Sequence, residues 1–312
     1  MVQEKKLVQD VSGWLRVYDD GSVDRTWTVP PEVKFMAEPV SPHEQFIDGI
    51  ATRDVTIDQN SGLRARIYLP EEENPKFPII LHFHGGGFCI SQADWFMYYQ
   101  FYTRLAKSIP AIVVSVYLRP APENKLPAAC DDGYAALLWL KSLSKGDSSG
   151  GNIVHEVATR SGFIDLNPLR LAGVIPIHPG FVRAQRSKSE LEQPESPFLT
   201  LDMVDTFLAL ALPNGCTKDH PITCPMGSFA PPIETLSLPP LMYCVAEKDM
   251  IKDTEMEYYE LLKKANKDVE LFISTEMGHS FYLNKIAIDT DPVTAAQTGE
   301  LIEGIKVFIN KH

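Results

Sequence analysis

The chain has 312 residues, of which 44% are hydrophobic and 22% are charged, and its formal net charge at pH 7 is -12. This composition supplies a substantial apolar core and lies far from that of a disordered chain. The negative charge argues against nucleic acid or an anionic membrane surface as a partner, because both repel acidic proteins. No apolar run in the sequence approaches the roughly 18 residues that a membrane-spanning helix needs.

Cysteine usage and the N-terminus indicate a reducing compartment. The five cysteines are odd in number and include no C-x-x-C pair, so free thiols are the simplest interpretation. The segment from Met1 to Asp10 is charged and polar and lacks the apolar stretch of a secretory signal. We therefore expect a cytoplasmic protein, and a nuclear pool is compatible with the same features.

The first 50 residues are predicted to form a peripheral N-terminal arm. Between Trp14 and Trp27, the sequence Tyr18-Asp19-Asp20-Gly21 is a turn signal that separates two short apolar stretches, which predicts a hairpin or an extended arm. Residues 30–45 are rich in Pro and Glu, a composition typical of a segment that lies over another part of a protein. Residues 51–312 follow a different pattern and are predicted to form the core of the same single domain.

From residue 51 onward, strand and helix patterns alternate. The alternating runs 54–58 and 63–69, joined by Asn60-Ser61-Gly62, predict a β-hairpin. Denser apolar runs at 78–83 and 111–116 are typical of strands buried on both faces of a parallel sheet. The alternation predicts an α/β fold with a mostly parallel central sheet and helices on both faces. Further strands are expected at 172–178, 240–246 and 269–273, and helices at 93–107, 127–143, 151–160, 201–212, 252–265 and 294–310.

The hexapeptide Gly146-Asp147-Ser148-Ser149-Gly150-Gly151 fits the pattern G-x-S-x-G. Its small residues permit a sharp turn that lifts the hydroxyl of Ser148 clear of the backbone. A helix is predicted to follow directly, so its N-terminal dipole would favour negative charge that develops near this serine. By itself the motif is also compatible with an ordinary loop rich in Gly and Ser.

A second motif, His84-Gly85-Gly86-Gly87-Phe88, follows an apolar strand. Three consecutive glycines cost conformational entropy on folding, and they are useful where backbone N–H groups must approach a ligand closely. In an acyl-transfer enzyme such a loop supplies an oxyanion hole, together with the N–H of the residue after the nucleophile, here Ser149. His84 is interpreted as a support for the glycine loop rather than as a base. A merely flexible loop is disfavoured because the two motifs occur together in this order.

Two further side chains complete a candidate catalytic set. Asp249 follows the strand predicted at 240–246, and the carboxyl ends of parallel strands are where such sheets hold their active sites. His279 lies in a loop next to Gly278, after the last predicted strand. The order Ser, Asp, His is the one that α/β-hydrolases use. The nearby acids Glu247 and Asp253 are interpreted as solvated charges, with Asp253 in the first turn of a helix.

Other titratable side chains near the motifs are interpreted as structural. His82 lies within a predicted strand and is expected to form hydrogen bonds to the backbone in the core. His155 lies on the helix after Ser148 and is expected to have a packing role. Cys89 is interpreted as a small buried thiol, because no pattern of His and Asn surrounds it.

Five segments of the sequence match one known family. They are Trp14-Leu15-Arg16-Val17-Tyr18-Asp19-Asp20-Gly21, His84-Gly85-Gly86-Gly87-Phe88, Arg119-Pro120-Ala121-Pro122-Glu123-Asn124 with Leu126-Pro127-Ala128-Ala129, Gly146-Asp147-Ser148-Ser149-Gly150-Gly151-Asn152, and Ala246-Glu247-Lys248-Asp249. The chain resembles, over nearly its whole length, the plant carboxylesterases of the hormone-sensitive-lipase-like group of α/β-hydrolases, which also contains the gibberellin receptors.

The resemblance implies an α/β-hydrolase fold in which Ser148, Asp249 and His279 form a catalytic triad. It also implies that the N-terminal arm, residues 1–50, forms a lid over an apolar pocket, with help from a cap insertion at about 180–215.

The motifs and the resemblance together predict hydrolysis of a small, lipophilic carboxylic ester. His279 would take the proton of Ser148 as the hydroxyl attacks the ester carbonyl, and Asp249 would fix the imidazole tautomer and stabilise the imidazolium. No metal or organic cofactor is implied, and the expected partner is a small-molecule ester.

Three other functions stay open. A hormone-binding receptor on the same fold is the first, although receptors of this group lack the catalytic histidine and His279 therefore favours an enzyme. An inactive relative is the second. A non-hydrolytic enzyme, such as the alkaloid cyclases of this group, is the third.

The segment before Gly146 departs from the family pattern. The run from Tyr134 to Lys145 reads as the end of a helix, because it has no β-branched residue and no turn, whereas family members carry a further connection and an apolar strand here. The sequence therefore predicts that the central sheet lacks the strand before the serine. A mis-spliced or wrongly predicted transcript, an omitted segment, or a switch of residues 136–145 to an extended form would each explain this. The first two explanations predict a weakly folded or inactive product.

Overall fold

A computed structural model describes residues 5–26, 31–72, 77–140, 143–167, 170–196 and 198–312. Within these residues, eleven strands form one small and one large sheet. They are β1 (Leu7–Val11), β2 (Leu15–Tyr18), β3 (Val23–Asp24), β4 (Ile50–Asp58), β5 (Leu63–Pro70), β6 (Ile79–Phe83), β7 (Ile112–Tyr117), β8 (Leu143–Asp147), β9 (Val174–Ile177), β10 (Leu241–Ala246) and β11 (Val269–Ser274).

Helices alternate with most of the strands of the large sheet. None that lies in the described residues is both long and apolar enough to cross a membrane. The helices are α1 (Pro31–Lys34), α2 (Phe96–Ser108), α3 (Ala128–Leu140), α4 (Ser149–Ser161), α5 (Lys188–Glu192), α6 (Leu201–Ala211), α7 (Lys252–Lys264), α8 (Lys285–Thr290) and α9 (Pro292–Lys311).

The small sheet is the antiparallel meander β1-β2-β3. The turn between β2 and β3 falls on the predicted sequence, where the N–H of Gly21 donates to the carbonyl of Tyr18 over 2.9 Å. Gly21 has a φ of 79°, a left-handed conformation that glycine adopts without steric cost. The predicted hairpin is thus confirmed, except that Trp27, the end of the predicted segment, lies outside the described residues.

The large sheet has the strand order β11-β10-β9-β8-β6-β7-β5-β4. Strands β4 and β5 form the predicted hairpin, and β5 also pairs antiparallel with β7. All other neighbours in this sheet are parallel. The prediction of a mostly parallel sheet is therefore confirmed, and the carboxyl ends of its parallel strands share one edge.

The two faces of the large sheet bury separate groups of apolar side chains. In β6, Leu81 belongs to the core that α3, α4 and α7 cover, whereas Ile80 belongs to the core that α2 and α9 cover. Successive residues of a strand point to opposite faces, so both Ile80 and Leu81 are buried only if helices cover both sides. The observed burial confirms the helices on both faces.

The prediction that the strand before Gly146 is missing is wrong. Residues 143–147 form β8, which pairs in parallel with β6 on one side and with β9 on the other. The hypothesis of a switch to an extended form holds for residues 143–145, while α3 continues to Leu140. A slot between two strands offers hydrogen-bond partners to the backbone on both sides, and this tertiary gain outweighs the low strand propensity of the sequence.

Candidate active site

Ser148 lies at the turn from β8 into α4, in a strained backbone conformation. Its φ is 50° and its ψ is -124°, a combination that costs a non-glycine residue of order 1–3 kcal/mol. Hydrogen bonds hold this conformation, because the N–H of Ser148 donates to Ile177 over 3.0 Å and the carbonyl of Ser148 accepts from Gly151 and from Gly180, each over 2.9 Å. The turn is therefore a fixed part of the sheet edge.

The two glycines of the G-x-S-x-G motif are required by close backbone packing. An ideal Cβ at Gly150 would lie 2.0 Å from the carbonyl oxygen of Phe83 in β6, and one at Gly146 would lie 2.4 Å from the carbonyl oxygen of Gly150. Real Cβ atoms do not approach backbone atoms this closely. The motif thus lets α4 press against β6 and leaves Ser148 at the tip of the turn.

The glycine loop lies beside this turn. An ideal Cβ at Gly85 would be 3.0 Å from the Cβ of Ser148, while Gly86 and Gly87 have φ values of 104° and 59°. Neither the Gly86 nor the Gly87 N–H donates a hydrogen bond to any other described residue. Ser149 begins α4, and the first amides of a helix have no partner inside it. The predicted oxyanion residues thus come together around Ser148.

Asp249 and His279 form a buried hydrogen-bonded pair. Nδ1 of His279 lies 2.6 Å from Oδ2 of Asp249, with the two side chains 3% and 0% exposed. Burial alone would raise the pKa of Asp249, but the adjacent imidazole and its hydrogen bond outweigh burial and hold that pKa below its ordinary value. The carboxylate therefore stays ionised and keeps the His279 ring in the tautomer whose Nε2 is an acceptor.

Ser148 and His279 line the same cavity, although no hydrogen bond joins them. Nε2 of His279 is buried and finds no hydrogen-bond partner among the described residues. The cavity has a volume of about 810 Å³, counting the part that opens to solvent, and Gly85, Gly86, Gly87 and Ser149 also line it. Most of its lining is apolar, including Trp14, Met97, Phe198, Met203, Phe207 and Leu283.

The two histidines before the glycine loop have distinct partners. Nδ1 of His84 lies 2.9 Å from the carbonyl oxygen of Gly85, so the ring contacts the glycine loop directly. Burial lowers the pKa of His84 and keeps the ring neutral. His82 bridges Ser115 Oγ, at 2.8 Å, and Asp147 Oδ1, at 3.0 Å, across three adjacent strands.

The side chains that we set aside as solvated or structural have partners away from His279. Glu247 and Asp253, which we interpreted as solvated charges, are half-buried. Glu247 accepts from the N–H of Glu276 over 2.8 Å, and Asp253 accepts from the N–H of Ser189 over 2.8 Å. Burial raises the pKa of Cys89 to about 12, which leaves it an unreactive thiol at neutral pH. Nε2 of His155 lies 2.6 Å from the hydroxyl of Tyr258.

Two buried groups next to the Asp249–His279 pair were not predicted from the sequence. His178, at the end of β9, and Glu255, in α7, are both 0% exposed. Burial, and then the charge of Asp249, raise the pKa of Glu255 well above its ordinary value, so this carboxyl is protonated. His178 follows the carboxyl end of a parallel strand, and the reasoning that selected Asp249 could have found it.

His178, Asp249 and His279 form a cluster of possible metal ligands. Their possible ligand atoms all lie within 4.8 Å of one another, and all three side chains are buried. However, Nδ1 of His178 already accepts a hydrogen bond from the N–H of Ser280 over 3.0 Å, and Nδ1 of His279 is engaged with Asp249. Both Nδ1 atoms are thus engaged within the protein, whereas Nε2 of His178 and Nε2 of His279 find no partner among the described residues. A metal ion bound through the Nδ1 atoms would break these hydrogen bonds.

Comparison with known proteins identifies the fold family of the chain. A family model described as the alpha/beta hydrolase fold matches residues 80–283. The chain is 32% identical to "Probable carboxylesterase 6" of Arabidopsis thaliana, over 98% of this chain and 92% of the relative. It is 34% identical to "Gibberellin receptor GID1C" of Arabidopsis thaliana, over 80% of each chain.

Among solved structures, an esterase from Pyrobaculum calidifontis superposes with a TM-score of 0.70 at 26% identity, covering 90% of this chain and 88% of that one. The chain therefore belongs to the α/β-hydrolase family, in the group that contains plant carboxylesterases and gibberellin receptors.

Proposed function

We propose that the protein is a serine carboxylesterase in which Ser148 is the nucleophile, His279 the general base and Asp249 the acid that orients it. The observation that carries this proposal is the buried Asp249–His279 hydrogen bond, whose imidazole opens onto the same cavity as the strained serine. Nε2 of His279 has an unused lone pair, which a serine hydroxyl or a water molecule would fill when substrate orders the site.

The chemistry follows from these roles. Oγ of Ser148 attacks the ester carbonyl carbon as its proton moves to Nε2 of His279, which gives a tetrahedral intermediate. The intermediate collapses when His279 returns the proton to the leaving alcohol, and an acyl-serine remains. Water then repeats both steps, with His279 as base and then as acid, and releases the carboxylic acid. Asp249 stabilises the imidazolium at each stage.

The oxyanion of each tetrahedral intermediate would be held by backbone amides of Gly85, Gly86, Gly87 and Ser149. The Gly86 and Gly87 amides, which have no acceptor among the described residues, and the first turn of α4 support this role, because preorganised donors gain most where water is excluded. Losing one such donor typically costs about 3–4 kcal/mol of transition-state stabilisation. His84, bonded to the carbonyl of Gly85, would keep the loop in this arrangement.

The apolar lining of the cavity supports a small, lipophilic ester as substrate. Residues 1–50 would act as a lid, and residues 180–215 as a cap insertion on a core of residues 51–312. Trp14, in the turn between β1 and β2, and Phe207 from α6 both line the cavity, and Gln9 of β1 donates to Thr206 of α6 over 3.3 Å. A substrate would thus contact apolar side chains from both segments.

A hormone-binding receptor is the second candidate, favoured by the similarity to a gibberellin receptor. Such a receptor would use the same cavity for binding without turnover. The presence of both His279 and its hydrogen bond to Asp249 favours the enzyme, since binding alone has no need of a base.

Hydrolysis of a short-chain nitrophenyl ester tests the proposal directly. The purified chain should release nitrophenolate, and His279→Ala should lower kcat by at least about 1000-fold at an unchanged melting temperature. Binding of a lipophilic ligand with no turnover by the wild type would support the receptor instead. Turnover that His279→Ala leaves intact would contradict the assigned base.

One feature supports a cytoplasmic location. The five cysteines Cys89, Cys130, Cys216, Cys224 and Cys244 are all free thiols. The net charge of -12 also disfavours a polyanionic partner.

A further inference from the structure

His178 lies directly behind the candidate base and is built into the sheet. It follows the last residue of β9, its N–H donates to the carbonyl of Cys244 over 2.9 Å, and its side chain is 0% exposed. Its φ of 44° is left-handed, which is uncommon for a residue with a side chain. The backbone therefore presents the ring at one fixed position on the sheet edge.

One hydrogen bond fixes the tautomer of the His178 ring. The N–H of Ser280 lies 3.0 Å from Nδ1 of His178, and a backbone N–H can only donate. Nδ1 must therefore be the acceptor, and the proton of the neutral ring sits on Nε2. Burial lowers the pKa of His178 to about 4, so the ring stays neutral and Nδ1 keeps its lone pair at physiological pH.

The residue that this bond holds is the immediate neighbour of His279. Ser280 itself has a φ of 52°, so the chain turns sharply just after the base. The His178 ring also packs on three neighbours in this loop, with centroid distances of 5.8 Å to His279, 5.9 Å to Phe281 and 5.8 Å to Tyr282. One buried ring thus touches four consecutive residues of the loop, 279–282.

We infer that His178 is a positioning residue, which sets the place of the His279 imidazole by anchoring the backbone of Ser280 to the end of β9. This inference rests on the proposed function of His279 as the base. Asp249 fixes the His279 ring from its Nδ1 side, and His178 fixes the backbone that carries the ring. Both constraints are needed, because a displacement of about 1 Å at a reacting group can cost about 100-fold in rate.

Two amide substitutions of His178 distinguish the effect of losing the Nδ1 acceptor from the effect of losing the bulk of the ring. The side-chain oxygen of His178→Asn reaches the position of Nδ1 and can still accept from Ser280, and asparagine tolerates a positive φ. His178→Gln extends its amide to the position of Nε2 and loses that acceptor. We expect His178→Asn to keep kcat within about threefold of the wild type and His178→Gln to lower kcat by about 10- to 100-fold. In both variants KM should change by less than about twofold.

The assay uses the full chain, a short-chain nitrophenyl ester and thermal unfolding of each variant. If Gln does not fold, His178→Leu, which has the size of Asn but no acceptor, takes its place. Equal kcat for the two variants, or an effect on KM alone, would overturn the positioning role while wild-type turnover and its loss in His279→Ala keep the esterase proposal intact. A wild type without turnover would overturn both.

Discussion

The two sides of the cavity are held in different ways. The Ser148 side is fixed by backbone packing, since the carbonyl of Phe83 fills the space where a side chain at residue 150 would stand. The His279 side is fixed by hydrogen bonds to buried side chains: the His279 ring donates to Asp249, and the N–H of Ser280 donates to His178. The proposed nucleophile is thus held by steric packing and the proposed base by polar contacts.

The difference indicates how each side should respond to substitution. On the Ser148 side, an added carbon atom must move backbone, so stability and activity should fall together. On the His279 side, exchanging one polar atom can leave the packing intact, so activity should fall with little loss of stability.

The largest effect is expected for Asp249→Asn. An amide can donate to Nδ1 of His279 and so favour the wrong tautomer, which lowered kcat by about 10⁴-fold in the well-studied serine protease triad. We expect a fall of similar order here, measured as ester turnover, with a melting temperature close to that of the wild type. Asp253→Asn, which removes charge four residues away at a residue that bonds Ser189, is the control and should keep most of the turnover. Comparable losses in both variants would argue against a special role of Asp249.

Glycine substitutions on the two sides should differ sharply. Gly150→Ala should lower the free energy of unfolding by at least about 3 kcal/mol and abolish turnover, because its Cβ would overlap the backbone of β6. Gly278→Ala, beside His279, has no atom within 4 Å of its Cβ and should change stability by less than about 0.5 kcal/mol. Chemical denaturation of both variants would show whether only the Ser148 side is sterically locked; equal stabilities would contradict this.

The pH dependence of the stability of Glu255→Gln tests the His279 side of the cavity. The raised pKa keeps Glu255 protonated in the folded state, while the unfolded chain ionises above its ordinary value of 4.5. The free energy of unfolding of the wild type therefore falls as pH rises from 4.5 toward the folded pKa, and Glu255→Gln removes this fall. Relative to the wild type, the free energy of unfolding of the variant should rise by about 1 kcal/mol per pH unit in that window and stay constant below it. Glu260→Gln, on the exposed face of the same helix, should show no such rise, and a difference between Glu255→Gln and the wild type that does not change with pH would refute the buried protonated carboxyl.

The smallest effect is expected at the anchor of the N-terminal arm. Arg25 donates to the carbonyls of Cys89 and Ala121, over 2.7 and 2.8 Å, and pairs with Glu123. Arg25→Ala should lower the free energy of unfolding by about 1 kcal/mol and raise KM for lipophilic esters more than it changes kcat. Lys5→Ala removes the partner of Asp20 at an exposed position of the same N-terminal arm, and it should leave stability and KM unchanged. A change in kcat alone would show that the arm does not shape the binding cavity.

The sequence predicted the parts of the molecule that local patterns encode. The dense apolar runs of β6 and β7 and the glycines around Ser148 each have a local physical reason, and the structure brings them to one edge of the sheet. Asp249 and His279 were predicted as partners from their order along the chain, and a hydrogen bond joins them in the structure.

What the sequence did not predict depends on distant partners. Strand β8 has a helix-like sequence, and it is extended because β6 and β9 flank it. The role of His178 depends on a backbone N–H 102 residues away, and the raised pKa of Glu255 depends on its burial and on the charge of Asp249, which no local pattern encodes. Sequence reasoning thus finds the proposed reacting groups more readily than the groups that hold them.

The most direct test of the account is covalent labelling with a fluorophosphonate, followed by intact mass and peptide mapping. This reagent reacts with a serine only when a base activates the hydroxyl. We predict one adduct per chain, located on Ser148, absent from Ser148→Ala and at least about 100-fold slower to form in His279→Ala. A wild type that gains no adduct, or one that gains it equally fast without His279, would contradict the joint action of the two sides of the cavity.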